Sequence, residues 1–407
     1  MGKLRVATAS FLCLLLLVVA GAQVRRKSTV SKGPRALGLV EIANNGQAML
    51  VPVTVMVDGE FYDASVYKAD PVPMAVEPET VYEGFKAGVS QGLFTVSTGI
   101  QGTSWTGAGK WRSNAEIAAA KEQRQNRITE LQKRAPEDET AGGPPRLTRS
   151  PEKQDQKTAP SQTPKPDDSK KDNAPKESPP VSTAPRVSAS LAEAEADRPV
   201  LRRAPEGTPK EETKLDTSPL KGPLQIIPAI SDAAGPQPRP YTYELKPGEE
   251  QTFLKKMEEM ATPVVEGRAK MLAGEVTRPK GKKAGAPVKP EFQNEQLQVL
   301  DVSGTNEAVL VFTANAAIPG RADLQYSAAV VARQDIYGDL HKIFSQITDS
   351  KHLDMLPRYE FIDAVDADGD GRGELLFRQV WDSGSGFAVY RVIGDRLWPL
   401  FESKPES

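Results

Sequence analysis

Residues 113–240 contain no aromatic side chain, although the chain of 407 residues has 12 Phe, 9 Tyr and 4 Trp. Twenty of its 34 prolines fall between Pro136 and Pro240. Such a stretch cannot bury enough apolar surface to offset the entropy lost on ordering it. It confines the foldable sequence to the segments on either side. Runs such as TPKPDDSKKDNAPKESPP read as a long disordered linker rich in Pro and Lys, placed at 135–240. As a flexible coil of about 100 residues it would span roughly 50–60 Å r.m.s.. The expected architecture is multi-domain. A small all-β module at 35–112 is followed by a helical arm at 113–134 and the linker at 135–240. An α+β module with an antiparallel β meander occupies 241–403.

The chain begins MGKLRVATASFLCLLLLVVAGAQ. Lys3 and Arg5 precede a short apolar core from Phe11 to Ala20, and Ala20-Gly21-Ala22 is a small-x-small cleavage site. This is the layout of a secretory signal peptide over residues 1–22, with cleavage near Ala22 and a secreted or periplasmic destination. No later stretch is apolar enough to cross a bilayer. Cys13 is the single cysteine and lies inside the apolar core, so a cleaved chain would have no thiol, disulfide or Cys metal ligand. The net charge of −2 lacks the basic footprint of a nucleic-acid-binding protein. With only two histidines, His341 and His352, general-base chemistry is poorly supplied.

Local patterns fill in the modules. AMLVPVTVMVDGEFYDASVY holds two β-rich runs around Asp58-Gly59, a pair that favours a hairpin turn. Pro52 points to a sheet edge. The aromatic residues from Phe61 to Trp111 read as the core of a small sandwich or barrel rather than a platform for sugar rings. Ser113 and Glu116 stand at capping-box spacing ahead of an Ala-rich, charged helix with a thin apolar stripe. That helix reads as a solvated arm, because a coiled coil needs a sustained heptad. In PGEEQTFLKKMEEMATPVVEG, Phe253, Leu254, Met257, Ala261, Val264 and Val265 share one helical face, and Pro263 is expected to kink or end the helix. The basic loop RPKGKKAGAPVKP comes next. From Gln296 onward, eight β-rich runs joined by short turns predict the meander.

DADGDGRGELL starts at Asp366. Asp366, Asp368 and Asp370 occupy positions 1, 3 and 5, Gly371 position 6 and Glu374 position 9. Alternate carboxylates on a tight turn offer the oxygen ligands that calcium prefers, and four like charges so close together call for a counter-ion. Position 12 is Phe377 where an EF-hand has Glu, and the flanks read as strands. The strand–loop–strand form resembles the calcium loops of FG-GAP/VCBS-type repeats over about 15 residues. The resemblance implies Asp366, Asp368, Asp370 and Glu374 as metal ligands, together with a main-chain carbonyl near Arg372. It also implies a structural or adhesive role for the loop. The alternative is an ordinary Asp/Gly hairpin turn. A fainter copy of the scheme, VLDVSGTNEAVLVF, starts at Val299 and lacks the aspartate ladder.

The expected function is that of a non-catalytic envelope or surface protein. Its two tethered modules would bind a protein partner or a wall polymer, with calcium stiffening the C-terminal one. One alternative is a scaffold whose linker spans a gap between docking sites. Another is a hydrolase using Ser383 or Ser385 of DSGSG with His341 or His352. That motif lacks a nucleophile-elbow frame, and the carboxylates of the aspartate loop are too close in sequence to flank a glycosidic bond.

Overall fold

The computed structural model describes residues 34–134, 202, 217–233, 235–275, 289–319 and 324–405. The expected signal peptide, most of the expected linker and nearly all of the basic loop lie outside the described residues. The chain divides into two units, Met1–Ala120 with Pro199–Ser407, and Lys121–Arg198. The first unit is mostly β.

The N-terminal strands are β1 (Arg35–Ala43), β2 (Ala48–Val57), β3 (Glu60–Asp63), β4 (Val81–Lys86), β5 (Val89–Gln101) and β6 (Trp105–Ser113). Asp58 and Gly59, at φ 53° and 86°, make the expected hairpin turn between β2 and β3. A seventh strand, β7 (Leu224–Asp232), comes from inside the segment read as linker. The ring runs β1-β7-β4-β5-β6-β2, and β2 pairs back onto β1, so six antiparallel strands close a barrel with β3 appended to β2. Closure removes the free edges that a lone sheet would expose. Val40, Leu50, Val55, Tyr82, Phe94 and Val96 fill the interior, with Trp105 and Trp111 packed against them. Pro52 is not at an edge. It lies within β2 at a bulge, where the register with β1 shifts between Leu37 and Gly38, and a bulge tolerates the missing N–H.

β7 corrects two expectations. The segment 135–240 is not linker throughout, because LQIIPAISD is a β-competent apolar run hidden by the polar average around it. Nor are 35–112 and 241–403 independent modules on a tether. One core cluster contains Leu37, Leu39 and Val53 of the barrel together with Val365, Leu376, Val389 and Phe401 of the C-terminal strands. β6 and β7, which stand on either side of the long intervening segment, belong to one barrel.

Helix α1 (Asn114–Arg134) begins directly after β6. Its capping box forms as expected, with Ser113 N donating to Glu116 at 2.8 Å and Glu116 N to Ser113 Oγ at 3.3 Å. Helix α2 (Glu249–Glu275) buries Phe253, Met257, Ala261 and Val265, four of the six expected face residues. Pro263 does not end it. Beyond Pro263, the buried Val265, Ala269 and Leu272 and the ion pair of Arg268 with Asp349 hold the last turns in place. These contacts offset the loss of about 3 kcal/mol that an interior proline brings.

All eight expected C-terminal strands form, but in two sheets rather than one. The first meander has β8 (Glu291–Leu300), β9 (Val309–Ala317), β10 (Gln325–Gln334) and β11 (Leu340–Asp349). The second has β12 (Arg358–Val365), β13 (Glu374–Trp381), β14 (Gly384–Ile393) and β15 (Arg396–Glu402). Helix α2 packs on the first through Leu310, Phe312 and Val330.

The Arg268–Asp349 pair is buried, and His352 Nδ1 lies 2.6 Å from the other Asp349 oxygen. Burial alone would raise the Asp349 pKa, but the hydrogen bonds from His352 and Arg268 outweigh it and hold the carboxyl below its usual range. A depressed carboxyl pKa adds stability above the ordinary value, and that stability is lost as pH falls through the lowered one. Arg268→Ala is expected to cost about 3–5 kcal/mol in denaturant unfolding at neutral pH, because it strands a buried charge. The difference from the parent chain should shrink at acid pH, and a pH-independent difference would contradict this.

Candidate metal centre

The β12–β13 connection is the aspartate turn. Asp366 staples it: one carboxylate oxygen accepts Gly369 N at 2.7 Å and the other Gly371 N at 3.1 Å. Gly369 and Gly371 have φ of 75° and 84°, a region that favours glycine. Asp368 Oδ1 accepts Asp370 N, and Asp370 Oδ1 accepts Arg372 N. Glu374 Oε2 accepts Ala367 N at 2.8 Å.

Asp366, Asp368 and Glu374 are 9%, 8% and 0% exposed. One oxygen from each falls within 4.8 Å of the others. Three of the four expected ligands are thus brought together. Asp370 is outside that group, although its Oδ2 faces the same guanidinium as Asp368 and Glu374. The expected carbonyl ligand at Arg372 instead lies 3.4 Å from the Tyr241 hydroxyl, which donates to it.

Three arginines that sequence reasoning passed over surround the turn. Arg391 of β14 places Nη2 at 2.6 Å from Asp368 Oδ2, 2.6 Å from Glu374 Oε1 and 3.3 Å from Asp370 Oδ2. Arg35 of β1 donates twice to the Asp366 carbonyl, at 3.0 and 2.7 Å, and pairs with Asp232 of β7. Arg239 donates to the carbonyls of Gly371 and Val302 at 2.8 and 2.6 Å and sits 4.8 Å from the Tyr241 ring centroid. Their signal was weak: Arg391 is a charged residue inside the apolar run AVYRVI, and Arg35 and Arg239 stand outside any motif.

The local charge is acidic. Burial pushes Glu374 up to about 8 against the pull of Arg391. Burial also raises Asp366; Arg35 opposes it, while Asp368 and Asp370 add to it. The four turn carboxylates and Asp232 gather around the guanidinium groups of Arg35 and Arg391. A cleft of about 460 Å³ flanks the turn between Arg35, Asp232, Arg239 and Tyr241. A second, of about 280 Å³, lies beside Arg391, Arg333, Glu307 and Ser303.

The fainter copy of the motif adopts the same turn. Asp301 accepts Gly304 N at 2.8 Å and Asn306 N at 3.1 Å, again three and five residues on. Gly304 and Asn306 have φ of 73° and 59°. The turn joins β8 to β9, as the aspartate turn joins β12 to β13. Each copy also pairs a glutamate after the turn with an arginine on the third strand: Glu307 with Arg333 at 2.9 Å, and Glu374 with Arg391. The two turns touch, with Gly373 N donating to Val302 O at 2.8 Å, and Arg239 binds both.

A scan against protein-family models found no match, and neither did searches of curated proteins and of solved structures.

Arg239 is the shared clasp of both turns. Arg239→Ala is expected to lower the unfolding free energy by about 3 kcal/mol, since hydrogen bonds from a charged donor contribute roughly 1.5–3 kcal/mol each and are not additive. Arg239→Lys should recover less than half of that, because an ammonium lacks the planar fork that reaches carbonyls on two loops. Full recovery with lysine in urea titrations would show that charge alone holds the turns.

Proposed function

We propose that this is a secreted or periplasmic, non-catalytic envelope or surface binding protein whose C-terminal sheets are stabilised by calcium or a similar hard cation. The metal would be held by Asp366, Asp368 and Glu374, with Asp370 at the rim. The observation that carries the reading is the convergence of three buried carboxylates within 4.8 Å, in a cluster with more acids than arginines. Hard cations take oxygen ligands, and extracellular modules function with weak sites of about 10⁻⁴–10⁻³ M. The signal-like N-terminus and the single cysteine within it agree with an exterior location. The partner would be a protein or a wall polymer.

The scaffold alternative loses its main support. β6 and β7, on either side of the aromatic-poor segment, belong to one barrel, so that segment does not join two separate modules. The hydrolase alternative gains none. His341 and His352 are each bonded to an aspartate, but among the described residues neither is hydrogen-bonded to Ser383 or Ser385, and Ser385 sits in the β13–β14 ladder opposite Val380.

Calcium at ten to a hundred times its dissociation constant should stabilise the chain by about 1.4–2.7 kcal/mol. Thermal unfolding of the full chain in excess chelator and in about 10 mM calcium, ten to a hundred times a dissociation constant of about 10⁻³–10⁻⁴ M, checks this. The transition is expected to rise with calcium in the parent chain and to be insensitive in Asp368→Ala. An unchanged transition in the parent would remove the metal from the reading.

A further inference from the structure

We propose that Arg391 is the resident cation of the aspartate turn, and that calcium fills the site only by displacing its guanidinium. The side chain would then set the affinity of the site and make its filling a switch. The proposal rests on the calcium reading above and concerns how that site is regulated.

The first observation is positional. Arg391 Nη2 lies 2.6 Å from an oxygen of Asp368 and 2.6 Å from an oxygen of Glu374, two of the three converging carboxylates. Calcium needs its oxygens at about 2.3–2.6 Å and several of them at once. A metal ion and an N–H donor compete for the same carboxylate oxygens. A divalent ion would also meet the repulsion of a guanidinium held a few ångströms away. Binding at those oxygens therefore requires Arg391 to leave.

The second observation is independent of the acidic cluster. In the first meander the equivalent arginine, Arg333 on β10, makes the equivalent pair with Glu307, where the turn has no aspartate ladder. The arginine–glutamate latch is thus part of the repeated unit and forms without a cation site. The ladder of Asp368 and Asp370 is what the second copy has in addition.

The third observation is a way out. Arg391 lines the cleft of about 280 Å³ and is 20% exposed. The cleft also presents Glu307 and the hydroxyls of Ser303 and Thr305. A guanidinium released from Glu374 has water and polar partners within reach, so its departure does not bury an unpaired charge.

Calorimetric titration of the full chain with calcium chloride tests this, comparing the parent with Arg391→Gln and Arg333→Gln. Arg391→Gln is expected to bind calcium at least tenfold more tightly than the parent, and Arg333→Gln to match the parent. Equal, measurable affinity in the parent and Arg391→Gln would overturn the proposal and leave the calcium reading standing. Tightening of the same size in Arg333→Gln would also overturn it, since loss of any nearby positive charge would then suffice. Absence of binding in both the parent and Arg391→Gln would overturn the calcium reading and this proposal with it. If Arg391→Gln is unstable without metal, folding only once calcium is added supports the proposal, because the metal then replaces the guanidinium. An Arg391→Gln chain that stays unfolded in millimolar calcium overturns it.

Discussion

Compensation of buried negative charge holds the seam of this molecule together. The aspartate turn lies where the barrel meets the second meander, and its acids are partly neutralised by side chains from distant parts of the chain. Arg35 reaches it from the first barrel strand and Arg391 from the third strand of the meander. Arg35 also pairs with Asp232 on β7, the strand that closes the barrel. Barrel closure and docking of the meander therefore share one guanidinium. Such a network is worth most when every member is satisfied, because the low dielectric that strengthens each bond also penalises any group left out. The main chain at Tyr241 adds neutral ties at the same seam. Tyr241 N donates to Ala87 O at a barrel turn, and Asp301 N donates to Tyr241 O at the first Asp turn.

This arrangement changes what the aromatic-poor segment means. A tether joins two bodies that could each fold alone. Here the polypeptide on both sides of the segment belongs to one barrel, and the barrel shares a hydrophobic core with the C-terminal strands. β7 makes nine residue pairs with β1 but only two with β4, so the barrel is closed most weakly where the returning chain enters. Loop-closure cost rises only with the logarithm of length, so the wide sequence separation of β6 and β7 is compatible with a stable barrel.

The strands and the turn were legible in the sequence because each is written locally. Eight β-rich runs became eight strands, Asp58-Gly59 made its hairpin, and Ser113 with Glu116 made its cap. The fold was legible only in class, since the pairing partners are distant. Nothing near LQIIPAISD reveals that it lies between β1 and β4, and averaging over the proline-rich neighbourhood concealed it. Pro263 misled for a related reason: propensity is local, while the face that Val265, Ala269 and Leu272 bury is settled by tertiary packing. The candidate site was half legible. Spacing revealed the acids that share a turn, but the arginines that answer them lie across strand pairings and carry no spacing.

The two Asp turns bear on whether the acids are there only to shape a loop. Both use one aspartate to hold the amides three and five residues ahead, and both have positive φ at those two positions. The Asp301 copy achieves this with Ser303 and Thr305 where the other has Asp368 and Asp370. One carboxylate is therefore enough for the part of the turn the two copies share, while Asp368 and Asp370 each hold one further amide in the longer copy. Asp368 and Asp370 add negative charge beside Asp366 and Glu374, whose own ionised forms are already disfavoured by burial. Charge that the shared turn does not need and that is unfavourable for its neighbours calls for a compensating cation, and the two copies differ in that demand. Serine and threonine at the corresponding places bond to each other at 2.6 Å and ask for nothing further. The contrast within one chain separates what the turn needs to fold from what the second copy adds to it.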